Sequence, residues 1–392
     1  MTLDSLIATA QQEGASDLHL EPGLPAALRV RGALHTFGEP LPPRLLMEFA
    51  RDLIGTDEWE HFVARRSFDT SKTIHGVRCR INVLHTSRGV GLAIRLLASF
   101  QATLEKLNLH PDLRKFVAHT NGLIIVSGPT GSGKSSTLAA LIQDINATEA
   151  RHIVTIESPI EYIYRPRLAY IRQRDVGRDT PSYEQGLLDA LREDPDVLMV
   201  GEMREPETMR LTLNASETGH LVLTTLHSAS CAEALARIVN AFPAEMQNSV
   251  RAQLADCLLA VICQRLRYRP ELKIRLPECE IMISTMAVKN FIRTGDFFKI
   301  ISAMETGAEH GMWTFARYQT WLASKKNWYV PSSDDKPDSE PIQPAARPEV
   351  TSPPGPQLKA KPAIAPSADK HRIEIEPTEG GLGELIKKFE SP

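Results

Sequence analysis

A phosphate-binding pattern, G-x-x-x-x-G-K-[ST], occupies residues 128–135, which read Gly-Pro-Thr-Gly-Ser-Gly-Lys-Ser. The four residues before Ser127 are large and apolar, as in a parallel strand that is buried on both faces. After the loop, apolar residues from Leu138 to Ile145 recur at helical spacing. A glycine-rich loop between a buried strand and a helix points its backbone N–H groups at an anion. The sequence therefore predicts an α/β nucleotide-binding domain.

Each part of this loop has a predicted role. The glycines let the backbone curl around phosphate, Lys134 reaches the β- and γ-phosphates, and the Ser135 hydroxyl is a metal ligand for Mg²⁺. ATP and Mg²⁺ are therefore the predicted cofactors. The loop residues predicted to bind them are Gly128, Thr130, Gly131, Ser132, Gly133, Lys134, Ser135 and Ser136.

Strands and helices continue to alternate after the loop, which predicts a doubly wound sheet. Glu157 follows an apolar stretch at 152–156, and Glu202 follows another at 197–200. A carboxylate at the end of a strand beside a phosphate loop can hold the attacking water, so Glu202 is the leading catalytic candidate. His220 and His227 flank a third apolar stretch at 221–226, where at least one of them can sense phosphate.

Composition limits the other functions open to the chain. The 392 residues suggest two or three domains, and residues 331–392 contain 12 of the 27 prolines, which predicts a disordered tail. At 381–389 the apolar residues are spaced for a short terminal helix. Residues 1–330 hold 37 basic and 37 acidic side chains, so no nucleic-acid partner is expected. The basic run Arg265, Arg267 and Arg269 is predicted to be a solvated face.

The five cysteines form no C-x-x-C pair, so reduced buried thiols are expected rather than disulfides or a zinc site. No basic signal segment precedes the first apolar residues, and no apolar run reaches the length of a membrane span. A cytoplasmic protein without direct membrane insertion is therefore expected, which contacts a membrane only through partners.

Five segments together carry a family resemblance. Residues 16–20, the phosphate loop, and residues 156–161, 191–204 and 218–228 resemble in order the motifs of the secretion-type ATPases, including their Walker A, Asp box, Walker B and His box. Residues 287–293, Ala-Val-Lys-Asn-Phe-Ile-Arg, resemble the AIRNLIR motif of the PilT/PilU family of type IV pilus retraction ATPases. The resemblance covers about residues 1–325.

The resemblance implies a homohexameric ring of two-lobed subunits that uses ATP hydrolysis to drive pilus retraction and twitching motility. The implied domains are a PAS-like domain at 1–98, a linker at 99–115, a RecA-like ATPase core at 116–270, a helical part at 271–330 and the tail at 331–392. The implied partners are the inner-membrane platform protein of the pilus and, as further candidates, other pilus ATPases. The chain would then be cytoplasmic and peripheral to the inner membrane.

The resemblance also implies site roles. Lys134 and Ser135 bind phosphate and Mg²⁺, Glu202 is the catalytic glutamate of Walker B, Glu157 is the Asp-box acid, and His227 is the His-box contact. Arg80 and Arg95 match arginines that reach phosphate across a domain or subunit boundary. From the sequence alone, it is equally reasonable to interpret Arg80 and Arg95 as solvent-exposed arginines on strands that have no contact with phosphate.

One departure from the family pattern leaves alternatives open. Ser158 stands where the family usually has Asp, so one carboxylate near the metal or water is missing. This favours, as a second hypothesis, a PilU-like accessory subunit with weak or partner-dependent hydrolysis. A pilus-extension or type II secretion ATPase is a third hypothesis, although no four-cysteine zinc motif is present.

Overall fold

The computed structural model describes residues 1–30, 33–97 and 102–331. Residues 332–392, with the predicted disorder and terminal helix, lie outside the described part of the chain. Within the described part, the strands form one sheet of six strands and one of seven. None of the helices in these ranges is long and apolar enough to cross a bilayer.

The N-terminal part is an antiparallel sheet covered by helices. Its elements are α1 (Leu3–Gln12), β1 (Ala15–Leu20), β2 (Ala26–Val30), β3 (Ala33–Phe37), α2 (Pro43–Ile54), α3 (Trp59–Arg65), β4 (Ser67–Ile74), β5 (Val77–Thr86) and β6 (Gly89–Leu96). The strand order is β3-β2-β1-β6-β5-β4. Along β5, Cys79, Ile81 and Val83 alternate into the core, where they share a cluster with Leu46 and Phe49 of α2. The residues between them remain on the other face of the sheet.

The larger sheet lies in the second part. Its strands are β7 (Gly122–Ser127), β8 (His152–Glu157), β9 (Tyr170–Asp175), β10 (Val197–Val200), β11 (Leu221–Leu226), β12 (Leu258–Arg269) and β13 (Ile274–Ile283). The helices are α4 (Arg114–Val117), α5 (Lys134–Thr148), α6 (Tyr183–Ala190), α7 (Pro206–Glu217), α8 (Cys231–Asn240), α9 (Ala244–Cys257), α10 (Met286–Thr294), α11 (Ile300–Thr306) and α12 (Phe315–Ser324). The strand order is β13-β12-β7-β11-β10-β8-β9, and β12–β13 is the only antiparallel pair among the described strands of this sheet.

Strand β7 lies near the middle of this sheet because both of its faces are apolar. Leu123 and Ile125 enter one buried cluster, while Ile124 and Val126 enter the cluster on the opposite face. Burial on both faces is typical of a parallel strand covered by helices on each side. The predicted α/β fold class is therefore confirmed.

The C-terminal part contains more sheet than the sequence indicated. The segment at 271–330, predicted to be helical, begins with strand β13 before helices α10, α11 and α12. Strand β13 pairs with β12 over a register of ten residue pairs. Its Pro277 weakens the strand signal in the sequence, but β13 is an edge strand, where a missing N–H costs little.

Candidate active site

The predicted site residues meet at one edge of the larger sheet. Parallel pairing aligns the carboxyl ends of β7, β8, β10 and β11. The phosphate loop leaves the end of β7, Glu157 ends β8, Glu202 follows β10, and His227 follows β11. This edge is where ligands bind in open α/β sheets.

The phosphate loop needs glycine at positions where the backbone is crowded. Gly128 has φ of 146°, and a Cβ there would lie 2.2 Å from the backbone oxygen of Gln264. Gly133 has φ of 89° and immediately precedes α5. Any other residue at Gly128 would therefore push the loop away from strand β12.

Lys134 is the first residue of α5 and points back into the loop. Its Nζ donates hydrogen bonds to the backbone oxygens of Gly128, at 2.9 Å, and Pro129, at 3.1 Å. Burial lowers the pKa of Lys134, and the negative charges of Glu202 and Glu161 partly offset this effect. Lys134 and Glu202 are thus close enough to interact electrostatically.

Glu202 and His227 form a pair at the ends of neighbouring strands. His227 Nε2 lies 3.0 Å from Glu202 Oε1, and Arg204 Nε lies 2.8 Å from the same oxygen. Burial lowers the pKa of His227, the charge of Lys134 lowers it further, and Glu202 partly offsets both. A carboxylate oxygen only accepts, so a hydrogen bond across this contact requires a proton on Nε2. The arrangement holds Glu202 in one orientation beside the phosphate loop.

Glu157 is a second acid at this edge, with its side chain buried. Its Oε1 accepts from Thr155 Oγ1 at 2.7 Å and from Gln173 Nε2 at 3.2 Å. Burial raises the pKa of Glu157 to about 7, and the charge of Glu161 adds to the increase. Glu157 can therefore exchange a proton near neutral pH. Ser158, the next residue, is exposed.

Side-chain hydrogen bonds join the strand ends to each other. Ser127 Oγ donates to the backbone oxygen of Ser228 and accepts from its N–H. Thr225 Oγ1 donates to the backbone oxygen of Gly201 at 2.6 Å. The loop strand, the glutamate segment and the histidine segment are therefore held as one unit.

The N-terminal sheet carries the two predicted arginines. Arg80 and Arg95 are cross-strand neighbours on β5 and β6, and both are exposed. Arg95 Nε pairs with Asp17 Oδ1 at 2.9 Å. The structure therefore places these two arginines together on one face of the N-terminal sheet. Their contact with phosphate stays a prediction.

Sequence reasoning missed a third arginine, Arg78, which joins the two sheets. Its Nε and Nη2 donate to the backbone oxygen of Ile160, at 3.3 and 3.2 Å, and Nη2 donates to Ser71 Oγ at 2.6 Å. Ile160 lies in the loop between Glu157 and Glu161. The only sequence signal was that Arg78 shares a strand face with Arg80.

A cavity of about 300 Å³ opens beside the start of α5. Its walls include Gly133, Ser136 and Thr137, together with residues of the linker before α4 and of the β12–β13 hairpin. Several of these wall residues are apolar, among them Leu107, Leu109, Leu266, Ile274 and Pro277. An apolar cavity next to a phosphate loop has the composition required for a nucleotide base.

The basic run at 265–269 and the five cysteines are the remaining candidates for a chemical role, and they are engaged within the protein. Arg265 and Arg267 are exposed, as predicted for a solvated face, and both pair with the single buried carboxylate of Glu278. All five cysteines are free and buried.

A phosphate loop on an inner strand, facing a glutamate that follows another parallel strand of the same sheet, is the arrangement of P-loop nucleotide-hydrolysing proteins. The family model described as type II/IV secretion system protein matches residues 1–289. The chain belongs to this family.

Individual relatives place the chain more narrowly. It is 40% identical to the type IV pilus retraction ATPase PilT of Pseudomonas aeruginosa, covering 83% of this chain and 95% of the relative. It is 34% identical to the type IV pilus ATPase PilU of the same organism, covering 82% and 85%. A crystal structure of the pilus retraction motor PilT with bound ADP matches with a TM-score of 0.77 and 35% identity, covering 86% and 96%. The resemblance predicted from the motifs is confirmed.

Proposed function

We propose that the protein is a Mg²⁺-dependent ATPase whose hydrolysis of ATP drives type IV pilus retraction. The observation that carries this proposal is the placement of Lys134, in the phosphate loop, within electrostatic reach of the paired Glu202 and His227. The similarity to the retraction ATPase PilT supports the cellular role.

The loop and the neighbouring cavity provide complementary parts of a nucleotide site. Backbone N–H groups at the start of α5 and the Lys134 ammonium bind the phosphates. The apolar cavity beside Gly133 takes the base. Thr130, Gly131 and Ser135 are exposed at the loop and are open to the ligand.

The oxygen donors near the loop fit Mg²⁺, which prefers hydroxyl, carboxylate and phosphate oxygens. Ser135 would hold the ion, with Glu202 and Glu157 nearby at the ends of β10 and β8. When bound, Mg²⁺ neutralises charge on the phosphate oxygens.

In the proposed mechanism, Glu202 accepts the proton of the attacking water. His227 and Arg204 both hold its Oε1, and Oε2 has no partner among the described residues. That oxygen can therefore accept from water while the carboxylate keeps its orientation. His227 acts as a positioning residue in this scheme.

The test separates binding from hydrolysis. Lys134→Ala removes the charge that holds the β- and γ-phosphates, so a fluorescent ATP analogue should bind at least about tenfold more weakly. Glu202→Gln keeps the shape but lacks the base, so the analogue should bind normally while phosphate release falls by about a hundredfold or more.

Glu207→Gln, an exposed change on α7, is the matched control and should retain turnover. Hydrolysis by the unaltered protein should also stop when EDTA removes Mg²⁺. Unchanged turnover in Glu202→Gln would contradict the assignment of the catalytic base.

We further propose that the active form is a homohexamer that acts in the cytoplasm on the inner-membrane platform protein of the pilus. The family resemblance supports this assembly and partner, and other pilus ATPases are further candidate partners. In cells that lack the gene, Lys134→Ala should fail to restore twitching motility while Glu207→Gln restores it.

Ser158 favours a second candidate function, an accessory subunit with partner-dependent hydrolysis. A purified protein that binds ATP but hydrolyses it only after addition of a second pilus ATPase would support this alternative. Ser158→Asp tests the cause, because a carboxylate beside the metal should raise turnover of the purified protein.

A further inference from the structure

Gln264 is a buried amide that lies against the phosphate loop from strand β12. Strand β12 runs parallel to β7, and Cys263 is paired with Ser127, the last residue before the loop. Gln264 is thus the first residue of β12 beyond the part that pairs with β7, and it is 3% exposed. No role in nucleotide binding follows from its sequence context.

Both ends of the Gln264 amide are used within the loop and the helix that follows. Nε2 donates to the backbone oxygen of Ser132 at 2.7 Å. Oε1 accepts from Thr137 Oγ1 at 2.6 Å. A carbonyl oxygen only accepts, so the atom facing Ser132 must be the nitrogen, and the orientation of the amide is fixed by its partners.

The amide also fills the space beside the last glycine of the loop. A Cβ on Gly133 would lie 2.8 Å from Gln264 Nε2. A Cβ on the first glycine, Gly128, would lie even closer to this residue, 2.2 Å from the backbone oxygen of Gln264. Gln264 therefore contacts the loop at both ends of its curved segment.

The Ser132 oxygen and the Gly133 N–H belong to the same peptide unit. In a planar trans peptide these two groups point in opposite directions. A donor that holds the Ser132 oxygen from the side of β12 thus turns the Gly133 N–H away from β12, toward the inside of the loop. The hydrogen bond also polarises the peptide and strengthens its N–H as a donor.

We propose that Gln264 is a positioning residue for phosphate: it fixes and polarises the Gly133 N–H that binds the nucleotide phosphates. This inference rests on the proposed function, because it assumes that the loop binds a nucleotide. It concerns the phosphates only, so its effect must not depend on the base.

The test uses two ligands that share phosphates but not a base. Gln264→Met keeps the size of the side chain and removes the donor. Gln264→Glu keeps the acceptor for Thr137 and sets a carboxylate oxygen against the Ser132 oxygen. The affinity of each purified variant is measured for a fluorescent ADP, and for inorganic pyrophosphate by displacement of that ADP.

Both variants should bind ADP and pyrophosphate about five- to tenfold more weakly, which corresponds to the loss of one buried hydrogen bond. In steady-state hydrolysis the KM for ATP should rise by a similar factor while kcat changes less than about twofold, because the N–H binds ground and transition states alike. Gln253→Met, the same substitution on α9 away from the loop, should match the unaltered protein.

Thr137→Val separates the two ends of the amide. It removes the bond to Oε1 but leaves the donor to Ser132, so its effect on pyrophosphate should be smaller than that of Gln264→Met. An equal or larger effect would overturn the role given to the Ser132 peptide.

Three further outcomes overturn the proposal. In a Gln264 variant that melts at the temperature of the unaltered protein, normal pyrophosphate affinity would remove the basis for the inference. Weaker ADP binding with unchanged pyrophosphate binding would assign Gln264 to the base cavity instead. If the unaltered protein bound neither ligand, the proposed function itself would fail, and the inference with it.

Discussion

Glu157 illustrates how one buried side chain ties the stability of the protein to pH. Its carboxyl group accepts from Thr155 and Gln173, and burial raises its pKa from 4.5 to about 7. Between these two values the unfolded state releases a proton that the folded state retains. Stability from this group is therefore greatest below about pH 4.5, falls as the pH rises toward 7, and changes little above 7.

Replacement of Glu157 by Gln should remove this dependence. Near pH 5 the variant should melt close to the unaltered protein. At pH 8 it should be more stable by at most about 3.5 kcal/mol, because each pKa unit corresponds to about 1.4 kcal/mol. Thermal melting across pH 4.5 to 8.5 is the measurement.

Glu245→Gln on the surface of α9 is the control and should leave the pH dependence unchanged. A constant difference in melting temperature between Glu157→Gln and the unaltered protein at all pH values would contradict a raised pKa.

At the residue scale, the sequence identified side chains that follow a motif and missed those that act through contacts distant in the chain. Lys134, Glu202 and His227 could be predicted because each follows or begins a recognisable strand or helix. Gln264 and Arg78 could not, because their roles depend on partners 132 and 82 positions away. Such partners are set by the packing of the sheets rather than by local pattern.

The same contrast between local sequence pattern and long-range packing applies to the strands and helices. The apolar run of β7 and the periodicity of α5 were sufficient to predict both. Strand β4 mixes Asp69, Thr70, Ser71 and Lys72, and β9 contains Arg172 and Arg174, so neither has the apolar character of a core strand. Both are at the edge of their sheets, where one neighbouring strand suffices for the pairing. The sequence therefore predicts central strands better than edge strands.

Arg78 connects strand β5 to the loop after β8, and the contribution of this contact to stability can be measured. Arg78 is half-buried, and burial lowers its pKa while the charge of Asp175 opposes the effect. Asp175 is buried and accepts from Ser71 Oγ at 3.4 Å. Loss of the guanidinium would leave the Ile160 oxygen without its charged donor. The buried negative charge of Asp175 would also lose a nearby positive charge.

Arg78→Met should therefore destabilise the protein by about 1–3 kcal/mol, the cost of leaving buried polar groups without partners. Hydrogen exchange of the backbone at 158–164 should also become faster, since the loop loses its anchor. Arg80→Met is the matched control for stability, since Arg80 lies two positions along the same strand and is exposed. Its free energy of unfolding should change by less than about 0.5 kcal/mol.

Asp175→Asn in the Arg78→Met background should recover part of the loss, because it removes the buried carboxylate. Equal exchange rates at 158–164 in the unaltered protein and in Arg78→Met would show that Arg78 does not anchor the loop.

At the scale of the whole molecule, the placement of two arginines bears on how subunits cooperate. Arg80 and Arg95 lie side by side on the N-terminal sheet, and the Arg95 side chain is 64% exposed while it pairs with Asp17. Exposed arginines on one subunit can complete a phosphate site on the next in a ring with head-to-tail interfaces. The proposed hexamer would then contain composite sites.

Mixed rings distinguish action within a subunit from action across an interface. Arg95→Ala and Lys134→Ala should each reduce hydrolysis when present alone, the first by removing the arginine and the second by disabling the loop. In rings mixed at equal ratio, about a quarter of the interfaces should join an intact arginine to an intact loop, which restores part of the activity. Differently tagged subunits, isolated by two successive affinity steps, show that mixed rings have formed. If such rings hydrolyse ATP no faster than the separate variants, Arg95 does not act on the site of a neighbouring subunit.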